Sequence, residues 1–219
     1  MENEVKMIKL KVIVFDYDLT LYNVNENYHN NYWAEYTTQM IAELTQNMGQ
    51  KNREKFIEKY QLNSDRSVEN MARAFAGELG NCEQMVDYML GHYFEQDYEN
   101  MNYISPEIIK KLSEKYNLYI ISNAPSSNII RQLRDIAGIN PKYFKGIFTN
   151  RHKSEDNTKG FLLNEIMRLE KVLPSEMLML GDKVDVDIEP AKKLGINAEL
   201  VKSLDEILPK IEKIENCIK

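Results

Sequence analysis

Two carboxylates set two residues apart, at the end of an apolar run, are where this 219-residue chain concentrates its chemistry. The stretch Lys9 to Tyr22 reads KLKVIVFDYDLTLY, and in it Val12, Ile13, Val14 and Phe15 break abruptly into Asp16 and Asp18. A β-branched run this short reads as a buried strand rather than a helix. Ligands bind beyond the carboxyl ends of parallel strands, and residues two apart on a strand point the same way. Two such carboxylates repel each other unless a cation lies between them or one keeps its proton. The pair therefore reads as a metal site, an acid/base pair, or both; the plainer alternative is that each aspartate caps a loop or a helix.

The pattern returns twice, in LYIISNAP around Ser122 and in MLMLGD ending at Asp182. Three strand runs ending in small polar residues favour a shared site over three separate caps. The formal net charge is −6, so no long-range attraction draws nucleic acid or an anionic membrane to the chain. An acidic protein that handles phosphate needs local compensation, which a divalent cation and a lysine would supply. Cys82 and Cys217 lack paired spacing and His29, His92 and His152 are scattered, so neither a disulfide framework nor a zinc site is indicated. The N-terminal MENEVKMIKLKV has no long apolar segment and no run reaches membrane-spanning length, so a soluble, cytoplasmic protein is expected.

The elements that must position these residues alternate. After the first strand, from about Asn23 to about Met101, apolar residues recur at helical spacing: Trp33, Met40 and Leu44, then Val68, Met71, Phe75 and Leu79, then Met85, Met89 and Tyr93. That region reads as an inserted helical domain, with Gly49, Gly77, Gly80 and Gly91 as candidate breaks. Ser105 and Pro106 read as N-cap and first residue of a helix over 106–115. Strands are expected over 118–121, 146–149, 177–180 and 198–201. Helices are expected over 126–137, 159–173 and 188–194, the second turning Phe161, Leu162, Ile166 and Leu169 inward. Ser203 and Glu206 read as a capping box for a last helix carrying Ile207, Ile211, Ile214 and Ile218. Strands alternating with helices mean an α/β fold with a parallel sheet covered on both faces.

Four short motifs, in order, resemble those of the haloacid dehalogenase superfamily of hydrolases. FDYDLT (Phe15 to Thr20) resembles the family's DxDxT; ISN (Ile121 to Asn123) resembles its second motif, a Ser or Thr after an apolar strand. Lys159 in TKGFLL resembles the motif lysine, with Lys153 as the rival, and GDKVDVD (Gly181 to Asp187) resembles the closing acid pair. Gly160 and Lys183 depart from the residues many relatives carry there. The ordered set is a far stronger signal than any one motif.

The resemblance implies a Rossmann-like core, residues 1–22 and 102–219, with strand order 3-2-1-4-5, and an all-α helical cap of the C1 type over 23–101. It implies Mg²⁺ held by Asp16, Asp18 through its main-chain carbonyl, and Asp182. Asp16 would be a nucleophile giving an aspartyl-phosphate, and Asp18 the general acid and then base. Ser122 and Asn123 would bind the phosphoryl oxygens and Lys159 would neutralise their charge. Asp187 would act behind the metal, and Thr20 would fix the loop after the nucleophile. Because the namesake dehalogenases lack an acid at the position of Asp18, the chain resembles the phosphatase branch. TLY followed by Tyr28, Tyr32, Trp33 and Tyr36 is similar to pyrimidine 5′-nucleotidases, with sugar phosphates and phosphoglycolate equally open as substrates. The expected partner is a small phosphate monoester, with no nucleic acid polymer and no membrane, acting on a monomer or homodimer.

Other classes of protein would use these residues differently. A phosphotransferase or mutase would use the same groups with another acceptor. A receiver domain would carry its phospho-accepting aspartate on the third strand and no helical insert after the first. A non-catalytic binding protein of this fold would be expected to lack one of the acids. A nicotinamide enzyme would need a glycine-rich fingerprint after the first strand, and none is there.

Overall fold

The computed structural model describes residues 9–24, 42, 45–46, 48–62, 101–122, 124, 126–149 and 159–217. The aromatic positions Tyr28, Tyr32, Trp33 and Tyr36, the helical spacings over 68–79 and 85–93, and Asn123, Lys153 and Ile218 lie outside them. The chain divides into two compact units, residues 1–23 with 101–219, and residues 24–100.

The larger unit is built on a five-stranded parallel sheet of β1 (Val12–Phe15), β4 (Asn117–Ser122), β5 (Phe144–Thr149), β6 (Met177–Gly181) and β7 (Asn197–Leu200). Their order across the sheet is β5-β4-β1-β6-β7, which, counting these five in chain order, is 3-2-1-4-5. β1 is central, with Phe15 level with Ile120 on one side and Leu180 on the other. All four β1 residues are fully buried, as a strand covered on both faces requires.

Helix α4 (Lys159–Glu170) covers one of those faces. Its buried positions are Lys159, Leu162, Leu163 and Ile166, the i, i+3, i+4, i+7 stripe of an amphipathic helix. The three apolar members pack with Val12, Val14, Ile121, Met177 and Met179, and burying each contributes about 1.5–3 kcal/mol at most. The inward face differs from the one expected: Phe161 and Leu169 are exposed and Leu163 is buried. The stripe rotates because the helix is anchored at both ends. Lys159 is drawn into a buried ion cluster at one end, and at the other Glu170 accepts hydrogen bonds from Asn117 Nδ2 at 2.7 Å and from the Tyr119 hydroxyl. Burial and the facing Glu170 push the Tyr119 phenol above its ordinary value, so it stays a donor.

The remaining helices of this unit are α2 (Pro106–Lys115), α3 (Ser126–Arg131), α5 (Glu189–Lys193) and α6 (Ile207–Cys217). Two π-helical turns, Gln132–Ile136 after α3 and Val184–Ile188 before α5, were not foreseen. Gly138 and Gly195 stop the helices at 126–136 and 189–193 with φ of 66° and 76°, a region that glycine enters without a Cβ clash. The caps also differ from expectation. Ser105 and Pro106 hold the N-cap and first positions of α2 as expected, but the Ser105 hydroxyl donates to Glu107 at 2.5 Å and makes no capping bond. A 3₁₀ turn, Leu204–Glu206, precedes α6, and Glu206 accepts from the Lys202 N–H at 3.1 Å, so no Ser203/Glu206 box forms.

A second, two-stranded sheet pairs β2 (Tyr22–Val24) with β3 (Met101–Tyr103), where the sequence showed no β signal because three residues are too few for a period to emerge. In the unit of residues 24–100, helix α1 (Gln50–Lys59) starts directly after Gly49 and buries Phe56. Among the described residues no helix is long and apolar enough to cross a membrane.

Candidate active site

The alternation of β1 carries past its last residue. Asp16 still donates its N–H to Leu180 O at 2.8 Å, as a ladder residue would, so its side chain leaves on the face of Val12 and Val14, the face that α4 covers. Lys159, first on the buried stripe of α4, meets it there. The Lys159 ammonium donates to Asp16 Oδ1 and to Asp187 Oδ1, each at 2.5 Å, with its side chain 5% exposed.

Asp182, directly beyond β6, completes the cluster. One carboxylate oxygen each from Asp16, Asp182 and Asp187 lie within 4.8 Å of one another. Asp187, expected to stand behind a metal, is one of the three; the carboxylate of Asp18, placed by the sequence reading among the ligands through its main chain, is not. The π turn explains the position of Asp187. Both its own N–H and that of Ile188 return to Lys183 O, at 3.0 and 3.4 Å, and the wider turn brings Asp187 back over the strand end. The Lys183 N–H then donates to Asp187 Oδ2 at 2.9 Å.

Three carboxylates gathered beside an ammonium that pairs with two of them leave negative charge uncompensated. Burial and then the charge of Asp16 push the Asp182 carboxyl up to about 7. Burial first, then Asp16, raises Asp187 as well, against the lowering pull of Lys159. Burial alone would lower the Lys159 ammonium, but Asp16 and Asp187 outweigh it and hold it above its ordinary value. An all-oxygen donor set with this charge suits a hard divalent cation.

Gly181 makes room for this arrangement. A Cβ built there would lie 2.4 Å from Asp187 Cβ and 2.5 Å from Oδ2, and neither the strand nor a side chain bonded to Lys159 can retreat. Gly181→Ala is expected to cost about 1–3 kcal/mol, as overpacking does, and to displace Asp187 from Lys159. Chemical denaturation together with a crystal structure of the variant checks both.

Asp18 occupies a different environment. The Tyr22 hydroxyl donates to its Oδ1 at 2.7 Å and Ser122 Oγ to its Oδ2 at 3.3 Å. Ser122 Oγ in turn accepts the Ala124 N–H at 2.9 Å. Burial raises the Asp18 carboxyl above its ordinary value despite these hydrogen bonds. Thr20 is fully buried, and its hydroxyl finds no hydrogen-bond partner among the described residues. The loop is held instead by the Thr20 and Leu21 N–H groups, which donate to Tyr17 O at 3.3 and 3.1 Å. Sequence reasoning missed Tyr22 and Gln132. Gln132, on the first π turn, accepts from the fully buried Tyr17 hydroxyl at 2.6 Å and so fixes the residue between the two aspartates. The sequence carried Tyr22 only as the last residue of TLY, with no role toward Asp18.

Comparison with known proteins places this geometry. The family described as haloacid dehalogenase-like hydrolase matches residues 13–201. A HAD-hydrolase of Bacillus subtilis, YfnB, is 26% identical over 117 residues, covering 50% of this chain and 49% of that protein; the match thus spans about half the relative's length. Among solved structures, a HAD phosphatase from Thermococcus onnurineus superposes with a TM-score of 0.61 at 19% identity, over 92% of this chain and 98% of that one. YfnB, solved bound to magnesium, gives 0.53 at 16% identity, over 93% and 99%. At these identities the superpositions show a shared fold. The family match spans nearly the whole core, from within β1 to just past β7, and the chain belongs to the haloacid dehalogenase-like hydrolases.

Proposed function

We propose that this hydrolase is a Mg²⁺-dependent phosphatase that cleaves small phosphate monoesters through an aspartyl-phosphate on Asp16. One observation carries the reading: two carboxylates two residues apart stand in opposite surroundings, Asp16 against an ammonium and Asp18 against hydroxyls. A carboxylate paired with the Lys159 ammonium suits a nucleophile, and a carboxyl raised by burial suits an acid; this contrast supports the two roles. A dehalogenase has no need of the second group.

In the first step an Asp16 oxygen forms a bond to phosphorus. The bond from phosphorus to the leaving oxygen breaks with its electron pair, and Asp18 delivers its proton to that oxygen. In the second, water attacks phosphorus and gives a proton to the Asp18 carboxylate, while the bond to Asp16 breaks and its pair returns to Asp16. Lys159 faces the charge on the phosphoryl oxygens. Asp16, Asp182 and the main chain at Asp18 would hold the cation, with Asp187 beside it. Bound there, Mg²⁺ supplies the charge that offsets repulsion between substrate and carboxylates. The unit of residues 24–100 would then select among esters, including nucleotides if its tyrosines stack a base.

A phosphate-release screen over nucleotides, sugar phosphates and phosphoglycolate, with and without Mg²⁺, tests this reading. Release that requires Mg²⁺ supports it. Release of halide from 2-haloacids with no phosphatase activity would overturn it.

Metal removal should also show in stability. Between 3.8 and about 7 the folded, metal-free chain binds a proton at Asp182 that the unfolded chain has lost, so stability falls as pH rises through that window. Chelator-treated protein is expected to melt at a higher temperature at about pH 6 than at about pH 8, and saturating Mg²⁺ should flatten the difference. Thermal melts at both pH values, with EDTA and with Mg²⁺, check this.

A further inference from the structure

The geometry points to Tyr22 as a positioning residue for the acid: its hydroxyl occupies Asp18 Oδ1 and so leaves Oδ2 as the oxygen that holds and delivers the proton. This inference rests on the proposed phosphatase reading and deepens it. The Tyr22–Asp18 bond is 2.7 Å, whereas the contact of Ser122 Oγ with Oδ2 is 3.3 Å. A protonated carboxyl has one oxygen that accepts and one that carries the hydrogen. A donor at 2.7 Å makes Oδ1 the accepting oxygen, and the loosely held Oδ2 stays free to turn its proton toward the leaving group.

The ring that supplies this hydroxyl is itself fixed. Tyr22 is 5% exposed and lies edge-on to Tyr17 and tilted against Tyr103, each with centroids 5.4 Å apart. Tyr17 and Tyr103 both donate to Gln132, at 2.6 and 3.5 Å. Leu19, between Asp18 and Tyr22, has φ 56°, a left-handed conformation that costs a non-glycine residue about 1–2 kcal/mol. That residue turns the chain back so that the side chain four positions on reaches Asp18. A strained loop, a π turn and three packed rings thus converge on one hydrogen bond.

The test is a double-mutant cycle on two esters that differ in their need for an acid. Glycerol 3-phosphate leaves as an alkoxide and needs a proton; 4-nitrophenyl phosphate leaves as a stable phenolate and does not. Tyr22→Phe keeps the ring and its packing. It should slow single-turnover phosphoryl transfer from the alkyl ester about tenfold, a fraction of what a general acid contributes, and slow that from the aryl ester less than about threefold. In an Asp18→Asn background the same change should cost nothing further, because its effect runs through Asp18. Equal losses on both esters, no loss on either, or losses that add in the double variant would overturn the role of Tyr22 while leaving the phosphatase reading intact. A wild-type protein active on no phosphate ester would overturn both. Thermal melts of each variant identify any loss that comes from misfolding.

Discussion

Asp16→Asn is expected to abolish turnover, by about four orders of magnitude or more, the scale on which losing a nucleophile acts, while the protein stays folded. Asparagine has the shape of aspartate and keeps an oxygen for Lys159, so the packing beside β1 survives. What it lacks is the negative charge that attacks phosphorus. Its effect on stability combines two opposed terms. The Lys159 ammonium, 2.5 Å from Asp16 Oδ1, loses a charged partner but retains Asp187. Asp182 and Asp187 are freed from a repulsion that raises both of them. The two terms offset, so the melting temperature should change little, and less still with EDTA present. Steady-state kinetics beside thermal melts check both halves; an inactive variant that is also unfolded would not count in favour of Asp16.

Lys159→Met should have the largest effect on stability. The lysine is buried and pairs at once with Asp16 and Asp187, two of the three carboxylates that lie within 4.8 Å of one another. Methionine fills a similar volume on the stripe with Leu162, Leu163 and Ile166, so packing is largely kept and the loss is electrostatic. Removing one partner of a buried ion pair costs about 3–5 kcal/mol, because the other charges stay behind. The sign with pH follows from the direction of the shifts. Asp187 is raised already, against the lowering pull of Lys159, and would rise further without it, so the penalty should be greatest at alkaline pH and should shrink as that carboxylate takes up a proton. Mg²⁺ should restore part of the stability and little of the activity, which is expected to fall about a hundredfold or more for loss of a charge-stabilising donor. Urea midpoints at two pH values, with and without Mg²⁺, measure the effect.

Much of the core was legible in the sequence because its signals are local. The runs VIVF, LYII and MLML are apolar without alternation, which is the mark of a strand buried on both faces, and all three lie in the parallel sheet. The approach of Asp16 and Asp182 was readable from strand ends, and that of Lys159, with Lys153 as its rival, from the motif it resembles. Asp187 was readable only as a member of a motif, because its reach depends on a π turn that no periodicity announces. The inward face of α4 was misjudged by two residues, Phe161 and Leu169. A hydrophobic residue at helical spacing is eligible for the core, but the ion cluster and Glu170 decide which side turns in. The Tyr22–Asp18 and Tyr17–Gln132 bonds escaped for a related reason. Each joins a tyrosine to a polar group whose position only the folded loop defines.

Trapping the covalent species tests the mechanism most directly. With 4-nitrophenyl phosphate, Asp18→Asn should still phosphorylate Asp16, since that leaving group needs no proton, and should then stall for want of a base. Rapid quench is expected to show a burst of nitrophenolate of about one equivalent per chain, and mass spectrometry should find the phosphoryl group on the peptide carrying Asp16. Nitrophenolate and phosphate released together without a burst, or a phosphoryl group on any other residue, would contradict the account.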